Sequence, residues 1–108
     1  MIAPARSADN DVAGWVLDTN GSVVPFGGAP DLGDSSGAGV AVSIVANAAN
    51  TGYWVLWDDG KVTAHGTAVN YGDLLGFSLD RPAISISVLP SETGYVVLAA
   101  DGGVFTFG

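Results

Sequence analysis

The sequence predicts an all-β protein made of three four-stranded repeat units of about 40 residues each. The first observation is composition: 16 Gly and 5 Pro interrupt the chain, and no apolar helical periodicity extends over ten residues. The second is internal similarity, because three segments share an apolar run, a polar turn ending in Gly, a second apolar run and a closing Gly. These segments are 13–27 (AGWVLDTNGSVVPFG), 52–66 (GYWVLWDDGKVTAHG) and 94–108 (GYVVLAADGGVFTFG).

Each of the three segments predicts a β-hairpin. The turn glycines Gly21, Gly60 and Gly102 each follow an Asn or Asp, and these pairs favour tight hairpin turns because they tolerate positive φ. The glycines are 39 and 42 residues apart, and the closing glycine of each segment repeats both differences. A period of this length is typical of propeller blades, solenoid units and other cyclic β folds.

A further strand is predicted ahead of the second and third hairpins. Residues 40–46 (VAVSIVA) and 82–89 (PAISISVL) align at the 42-residue spacing and alternate in the manner of strands. The alternation assigns Val42, Ile44 and Ala46 to one face. These leading strands give the second and third hairpins a partner on one side.

A short edge-like strand is predicted behind the first and second hairpins, at 30–34 (PDLGD) and 69–73 (VNYGD). The first copy has only Ile2 and Ala3 where its leading strand belongs, and Gly108 precedes the trailing segment of the third copy. Unpaired strand edges are a liability. Either another molecule completes the repeats, by homo-oligomerisation or docking on a larger assembly, or the two ends close against each other.

The predicted domain organisation is an N-terminal arm at 1–12, flexible unless a partner holds it, and a β-repeat domain at 13–108. The repeats fall at about 1–34, 35–73 and 74–108. Strand 52–57 is apolar on both faces, which predicts sheets stacked on sheets. A propeller-like arrangement fits this pattern, and a three-fold β-prism is the alternative.

Charge and composition exclude several function classes. The formal net charge is −8, and only Arg6, Lys61 and Arg81 are positive, which disfavours nucleic acid and anionic membranes as partners. No window is apolar enough to insert in a membrane, and no signal peptide is visible at the N-terminus. The chain has no Cys, so disulfides and thiolate chemistry are excluded.

No enzymatic or metal site is predicted. His65 stands where the other copies have Phe26 and Phe107, which favours a packing role, and no nucleophile-elbow spacing is present. The acidic turns at Asp18 and Asp58 lack the later oxygen ligands of a calcium loop. We expect a non-enzyme without cofactor or metal, with a hydrolase around His65 as a distant alternative.

Among the aromatic residues, Trp57 is the best candidate for a ligand or an interface. Trp15 and Trp54 match each other in register, as core positions do. Trp57 aligns with Asp18 and Ala99, so no packing role common to the repeats requires an indole there. Tryptophan and tyrosine rings stack on sugars, and neighbouring acidic groups bind hydroxyls, which suggests a glycan as a ligand.

The segment 73–81 (DLLGFSLDR) is an apolar connection that either caps the core, the favoured interpretation, or forms an exposed contact patch. The candidate ligand or interface residues are Tyr53, Trp57, Asp58, Tyr71, Leu74, Leu75 and Phe77.

The third hairpin at 94–108, with 52–66 and the trailing VNYGD at 69–73, resembles the GYWLVASDGGVFAFG-type tandem repeat of actinobacterial secreted and cell-wall-associated proteins. The similarity covers most of residues 13–108. It implies a propeller-like β array that serves as a non-catalytic module, and it supplies no catalytic residues.

This chain departs from that pattern, with fewer than three complete copies and no visible export signal. A closed propeller needs at least about four blades. A short chain that starts at Met and carries such repeats fits a virion component, a capsid decoration or tail protein, of a phage that infects actinobacteria. The expected location is therefore the virion or the extracellular surface.

The three-fold prism of monocot mannose-binding lectins has a similar length, but its Gln-x-Asp-x-Asn-x-Val-x-Tyr sugar motif is missing here. The predicted function is a structural or adhesion module, and the alternative is a glycan-binding, lectin-like surface module.

Overall fold

The computed structural model describes residues 2–6, 12–27, 29–37, 39–47, 51–74, 82–89, 94–100 and 102–108. Within these ranges the chain is all-β and has no helix, which confirms the predicted class. Nine described strands form three antiparallel sheets, each with three strands in chain order.

Each sheet is a meander of consecutive strands. The first sheet contains β1 (Ile2–Arg6), β2 (Val12–Leu17) and β3 (Val23–Phe26). The second contains β4 (Ala41–Ala46), β5 (Gly52–Trp57) and β6 (Val62–Gly66). The third contains β7 (Ala83–Val88), β8 (Tyr95–Ala99) and β9 (Val104–Phe107). Each sheet lies within one of the three predicted repeats.

The three predicted hairpins are confirmed. Strands β2 and β3, β5 and β6, and β8 and β9 pair antiparallel, and each pair is joined by one of the predicted turns. The turn glycines Gly21, Gly60 and Gly102 have φ values of 92, 93 and 89°. Because L residues with a Cβ rarely adopt this conformation, glycine at these three places fixes the turns and the strand register.

The sheets form a stack with the second sheet in the middle. Two buried clusters join them, and we call these the first joint and the second joint. The first joint, between the first and second sheets, consists of Trp15, Leu17, Val23, Ala41, Ile44, Tyr53, Val55 and Trp57. The second joint, between the second and third sheets, consists of Trp54, Leu56, Val62, Leu74, Ala83, Ile86, Tyr95 and Val97. Every residue of β5 is buried, as its two apolar faces predict.

The stack is open at both ends. No described strand of the first sheet contacts a described strand of the third sheet. The molecule measures 44 × 29 × 20 Å along its principal axes. The structure therefore shows three small stacked sheets, and it shows neither the closed propeller nor the three-fold prism.

The predicted fourth strand is not formed in either repeat. Residues 30–34 and 69–73 are irregular segments. Side chains bind the main-chain groups that a strand ladder would use. The N–H of Val23 donates to Asp34 Oδ1 at 2.8 Å, and the N–H of Val62 donates to Asp73 Oδ2 at 3.3 Å. Each carboxylate thus attaches the segment to the edge strand beside it without a main-chain ladder.

The leading strands β4 and β7 each contain a register shift, between Ala41 and Ser43 in β4 and at the equivalent place in β7. The extra residue reverses the faces that strict alternation predicts. Ile44 belongs to the first joint and Ala46 packs against it, whereas Val42 packs against the second joint. The prediction that Val42, Ile44 and Ala46 share one face is therefore wrong.

The N-terminal residues differ from the predicted arm. Ile2–Arg6 forms β1, and it pairs antiparallel with β2 so that Ile2 is opposite Val16. In the second sheet, Ile44 is opposite Val55, which is the residue equivalent to Val16. The strand β1 is therefore the leading strand of the first copy. The remaining arm residues 1 and 7–11 lie outside the described ranges.

Candidate functional site

The first joint holds the segment that connects the first two sheets with one residue from each sheet. The ring nitrogen Nε1 of Trp15 donates to the carbonyl of Pro30 at 2.7 Å. The hydroxyl of Tyr53 donates to the carbonyl of Gly33. The two rings are tilted against each other, with centroids 5.2 Å apart. We call this arrangement the Trp–Tyr clamp.

The second joint repeats the Trp–Tyr clamp. Nε1 of Trp54 donates to the carbonyl of Val69 at 2.7 Å, and the hydroxyl of Tyr95 donates to the carbonyl of Gly72. The ring centroids of Trp54 and Tyr95 are 6.0 Å apart. The main-chain N–H of Tyr71 also donates to the Tyr95 hydroxyl, at 3.1 Å. Trp15 and Trp54 are thus core residues, as their matching register predicts.

The tyrosines of both clamps are held in the protonated form. Burial raises the pKa of Tyr53 to about 12, and Asp31 and Asp34 add to the shift. Burial also raises the pKa of Tyr95. Both hydroxyls therefore remain hydrogen-bond donors at neutral pH, which the carbonyl acceptors of the clamps require.

The two joints differ in chemistry at four equivalent positions. The first joint has hydrogen-bonding side chains where the second has apolar or smaller ones. The pairs, first joint against second, are Ser35 and Leu74, Trp57 and Ala99, Thr63 and Phe105, and His65 and Phe107. A concerted exchange of this kind marks the first joint as the candidate functional site.

The four residues of the first joint form one hydrogen-bonded chain, which we call the Trp57–His65 chain. Nε1 of Trp57 donates to Ser35 Oγ at 2.8 Å. Ser35 Oγ lies 2.7 Å from Thr63 Oγ1, which lies 3.0 Å from His65 Nε2. The His65 ring stacks on Tyr53 with centroids 5.0 Å apart. The chain therefore ends beside the Trp–Tyr clamp.

The indole fixes the direction of the protons along this chain. Because an indole N–H only donates, Ser35 must accept from Trp57. Ser35 can then donate to Thr63, and Thr63 can donate to His65 Nε2. In this arrangement the hydroxyl hydrogens of Ser35 and Thr63 are both used in hydrogen bonds. The proton of neutral His65 is then on Nδ1. In the reverse direction, the hydroxyl hydrogen of the buried Ser35 would have no acceptor among the described residues.

Burial lowers the pKa of His65, and the carboxylate of Asp34 acts in the opposite direction. The neutral imidazole that accepts from Thr63 is thus also the form that its surroundings favour. Ser35 is 7 % exposed, and its Oγ accepts the hydrogen bond from the indole. The chemistry that this arrangement supports is attachment of the first sheet to the second.

The lowered pKa of His65 predicts acid sensitivity. In the unfolded chain His65 has its ordinary pKa of 6.5, whereas in the folded chain its pKa is lower. The free energy of unfolding should therefore fall as the pH drops from about 7.5 to about 5.5. Chemical denaturation across this range measures the effect. His65→Phe, the residue of the other copies, should flatten the dependence, and an unchanged slope in this variant would contradict the prediction.

The structure places the two strongest aromatic candidates in the core. Trp57 is 1 % exposed, and Tyr53 is fully buried. The ring of Trp57 lies against the main chain, since a Cβ at Gly37 would be 2.8 Å from its Cδ2. The Trp57 ring therefore presents no face to a ligand, in contrast to the prediction from sequence.

Of the other predicted site residues that the structure describes, Tyr71 and Leu74 lie at the second joint, whereas Asp58 binds the main chain just before β4. Asp58 is partly buried, and its Oδ1 accepts the N–H of Val40 at 3.0 Å. Tyr71 is partly buried, with its ring edge on Tyr95 at a centroid distance of 5.8 Å. Leu74 is a core residue of the second joint, as a segment that caps the core requires. Leu75 and Phe77 lie outside the described ranges.

Two residues of the Trp57–His65 chain, Ser35 and Thr63, escape prediction from sequence. Ser35 lies in a connection rich in Gly and Ser, where a serine is typical of a loop and does not indicate a site. Their alignment with Leu74 and Phe105 is the signal that could have identified them, because it pairs a polar residue with an apolar one.

Comparison with protein-family models, with curated proteins and with solved structures gave no match to this chain. Among the described residues, no three or more His, Asp or Glu side chains are grouped as a metal site. The described part of the chain also has no helix long and apolar enough to cross a membrane.

Proposed function

We propose that the chain is a non-catalytic structural or adhesion module, carried as a capsid decoration or tail component by a phage that infects actinobacteria. The observation that supports this role is the burial of polar and aromatic side chains between the repeats. Ser35, Trp57 and Tyr53 are buried between the first two sheets, where they bind each other or the main chain. Their chemistry serves cohesion between repeats.

The resemblance to actinobacterial surface repeats supports the biological setting of the proposal. The formal charge of −8 also suits a protein that must stay apart from nucleic acid in a particle. A glycan-binding role has weaker support, because the Trp57 and Tyr53 rings that would stack on a sugar are buried. Among the candidate ligand or interface residues that the structure describes, Asp58 and Tyr71 are partly exposed.

The proposal can be tested on purified virions of a phage that encodes the chain. We expect mass spectrometry to find the chain in particles banded on a density gradient, and labelled antibody to decorate the capsid or tail. Purified cell walls of the host provide the test of the adhesion role, with an unrelated acidic protein of similar size as control. A chain that occurs only in the soluble lysate and does not bind cell walls would overturn the proposal.

A further inference from the structure

Exposed apolar side chains gather at the two ends of the stack. Among the described residues, seven large hydrophobic side chains are exposed, and five of them lie on the outer faces of the first and third sheets. We call these surfaces the leading face, on the first sheet, and the trailing face, on the third. The five are Val16 and Val24 on the leading face, and Ile84, Leu98 and Val104 on the trailing face.

The trailing face carries the same cross-strand pair that both joints use. In each hairpin a Leu is paired with a Val: Leu17 with Val23, Leu56 with Val62, and Leu98 with Val104. The first two pairs are at most 5 % exposed, because each packs against the next sheet. Leu98 and Val104 are 37 % and 61 % exposed. The third pair is therefore a joint surface without its partner sheet.

The leading face carries the residue that shares a buried cluster with such a pair in each joint. Val55 and Val97 lie opposite Thr63 and Phe105 in their hairpins, and both are fully buried, in the same clusters as the Leu–Val pairs of the preceding sheets. Val16 occupies the equivalent position in the first sheet and is 39 % exposed. One chain thus presents both halves of a joint at opposite ends.

From these faces we propose that the protein associates head to tail, with the trailing face of one copy packed on the leading face of the next. This inference rests on the proposed structural role and names the partner as a second copy of the chain. Because the two faces differ, the contact is heterologous and generates a ring or a filament, depending on the rotation between copies.

The end faces lack both residues of the Trp–Tyr clamp, which favours a second copy over another repeat of the same chain. Val96 stands at the position of Trp54, and Gly14 stands at the position of Tyr53. Neither can hold a connecting segment as the clamps do. A joint between two separate copies has no such segment, so it needs neither the indole nor the phenol.

Charge opposes this association and makes it dependent on salt. Each copy has a formal net charge of −8, so copies repel one another at low ionic strength. Raising the salt from about 0.1 M to about 1 M shortens the screening length from about 10 Å to about 3 Å. Electrostatic repulsion then offsets less of the free energy gained by burying apolar surface at the joint. We expect the assembly to grow with both protein concentration and salt.

Light scattering on the purified protein, over a dilution series at both salt concentrations, tests the inference. We expect assemblies larger than a monomer, at least at the higher concentrations and salt. Val104→Asp on the trailing face and Val24→Asp on the leading face should each weaken association at least about 100-fold, because a carboxylate would be buried in the joint. Val69→Asp, equally exposed but in a connecting segment, is the matched control and should assemble like the wild type.

Mixing the two blocked variants tests the direction of the contact. Each variant keeps one intact face, so the mixture should form a one-to-one dimer and nothing larger. A wild type that is monomeric under every condition would overturn the inference. So would loss of assembly in only one of the two variants, which indicates a symmetric contact. A monomeric chain found in virions would overturn the head-to-tail contact and leave the proposed function in place.

Discussion

Trp57→Ala is expected to lower the free energy of unfolding by about 3–5 kcal/mol, the range for a buried tryptophan truncated to alanine. The ring is 1 % exposed and is enclosed by the main chain at Gly21 and Gly37. Its loss leaves a cavity in the first joint and removes the donor to Ser35. Urea denaturation followed by circular dichroism measures the change. Val69→Ala, at a side chain that is 55 % exposed, should stay within about 0.5 kcal/mol.

A second substitution tests whether Trp57 acts through the Trp57–His65 chain. Ser35→Leu removes the acceptor of the indole and should be destabilising alone. Combined with Trp57→Ala, it recreates the Leu74 and Ala99 pair of the second joint. We expect the double variant to be more stable than the sum of the single effects predicts, by about 0.5–3 kcal/mol. Simple additivity would show that the two positions are independent.

Gly21→Ala is expected to destabilise the protein by about 2–5 kcal/mol. Gly21 has a φ of 92°, which costs a residue with a Cβ about 1–2 kcal/mol. A Cβ there would also lie 2.4 Å from the carbonyl oxygen of Ser35 and 2.7 Å from Trp57 Cζ2. Because the nearer atom belongs to the main chain, relief requires the connection to move, which adds about 1–3 kcal/mol.

Gly102→Ala is the matched control for this prediction. Gly102 occupies the same turn position in the third hairpin with a φ of 89°, and a Cβ there would meet nothing within 4 Å. Only the backbone cost should apply, and thermal unfolding of the two variants should therefore differ by several degrees. Equal destabilisation would mean that the contact between the first turn and the Ser35 segment contributes nothing.

The hairpins and the stacking of sheets can be predicted from sequence because both depend on local patterns. An Asp or Asn before Gly between two apolar runs favours a hairpin turn, as at Gly60. The two apolar faces of β5 require cover on both sides, and the structure provides it with the two joints. Neither inference requires knowledge of which residues meet across the stack.

The bulges and the missing fourth strand depend on information that the patterns do not carry. One extra residue at Ala41–Ser43 changes which face Val42 occupies, and alternation alone cannot reveal it. The conformation of 30–34 is decided by Trp15 and Tyr53, which are distant in sequence and bind its carbonyls, and by its own Asp34, which binds β3. A segment that reads as a strand becomes an irregular connection because these groups bind its backbone or tether it to β3.

The candidate site could be predicted in part. Trp57 and His65 stand out because each departs from the equivalent residues of the other repeats. Their connection through Ser35 and Thr63 depends on how the first sheet sits on the second, which the repeat alignment does not contain. The same missing geometry explains why the sequence predicts Trp57 at a ligand or an interface surface, whereas the residue lies in the core.

The meander order of the strands makes folding a linear, nearest-neighbour process. Every pair of described strands joins elements that are consecutive in the chain, and each described sheet packs only on its neighbour. Such a topology keeps loop-closure entropy low and lets stability accumulate unit by unit, as in solenoid arrays. The central sheet gains most because it has two neighbours, so its amide protons in β5 should exchange slowest with solvent, and opening should proceed inward from either end.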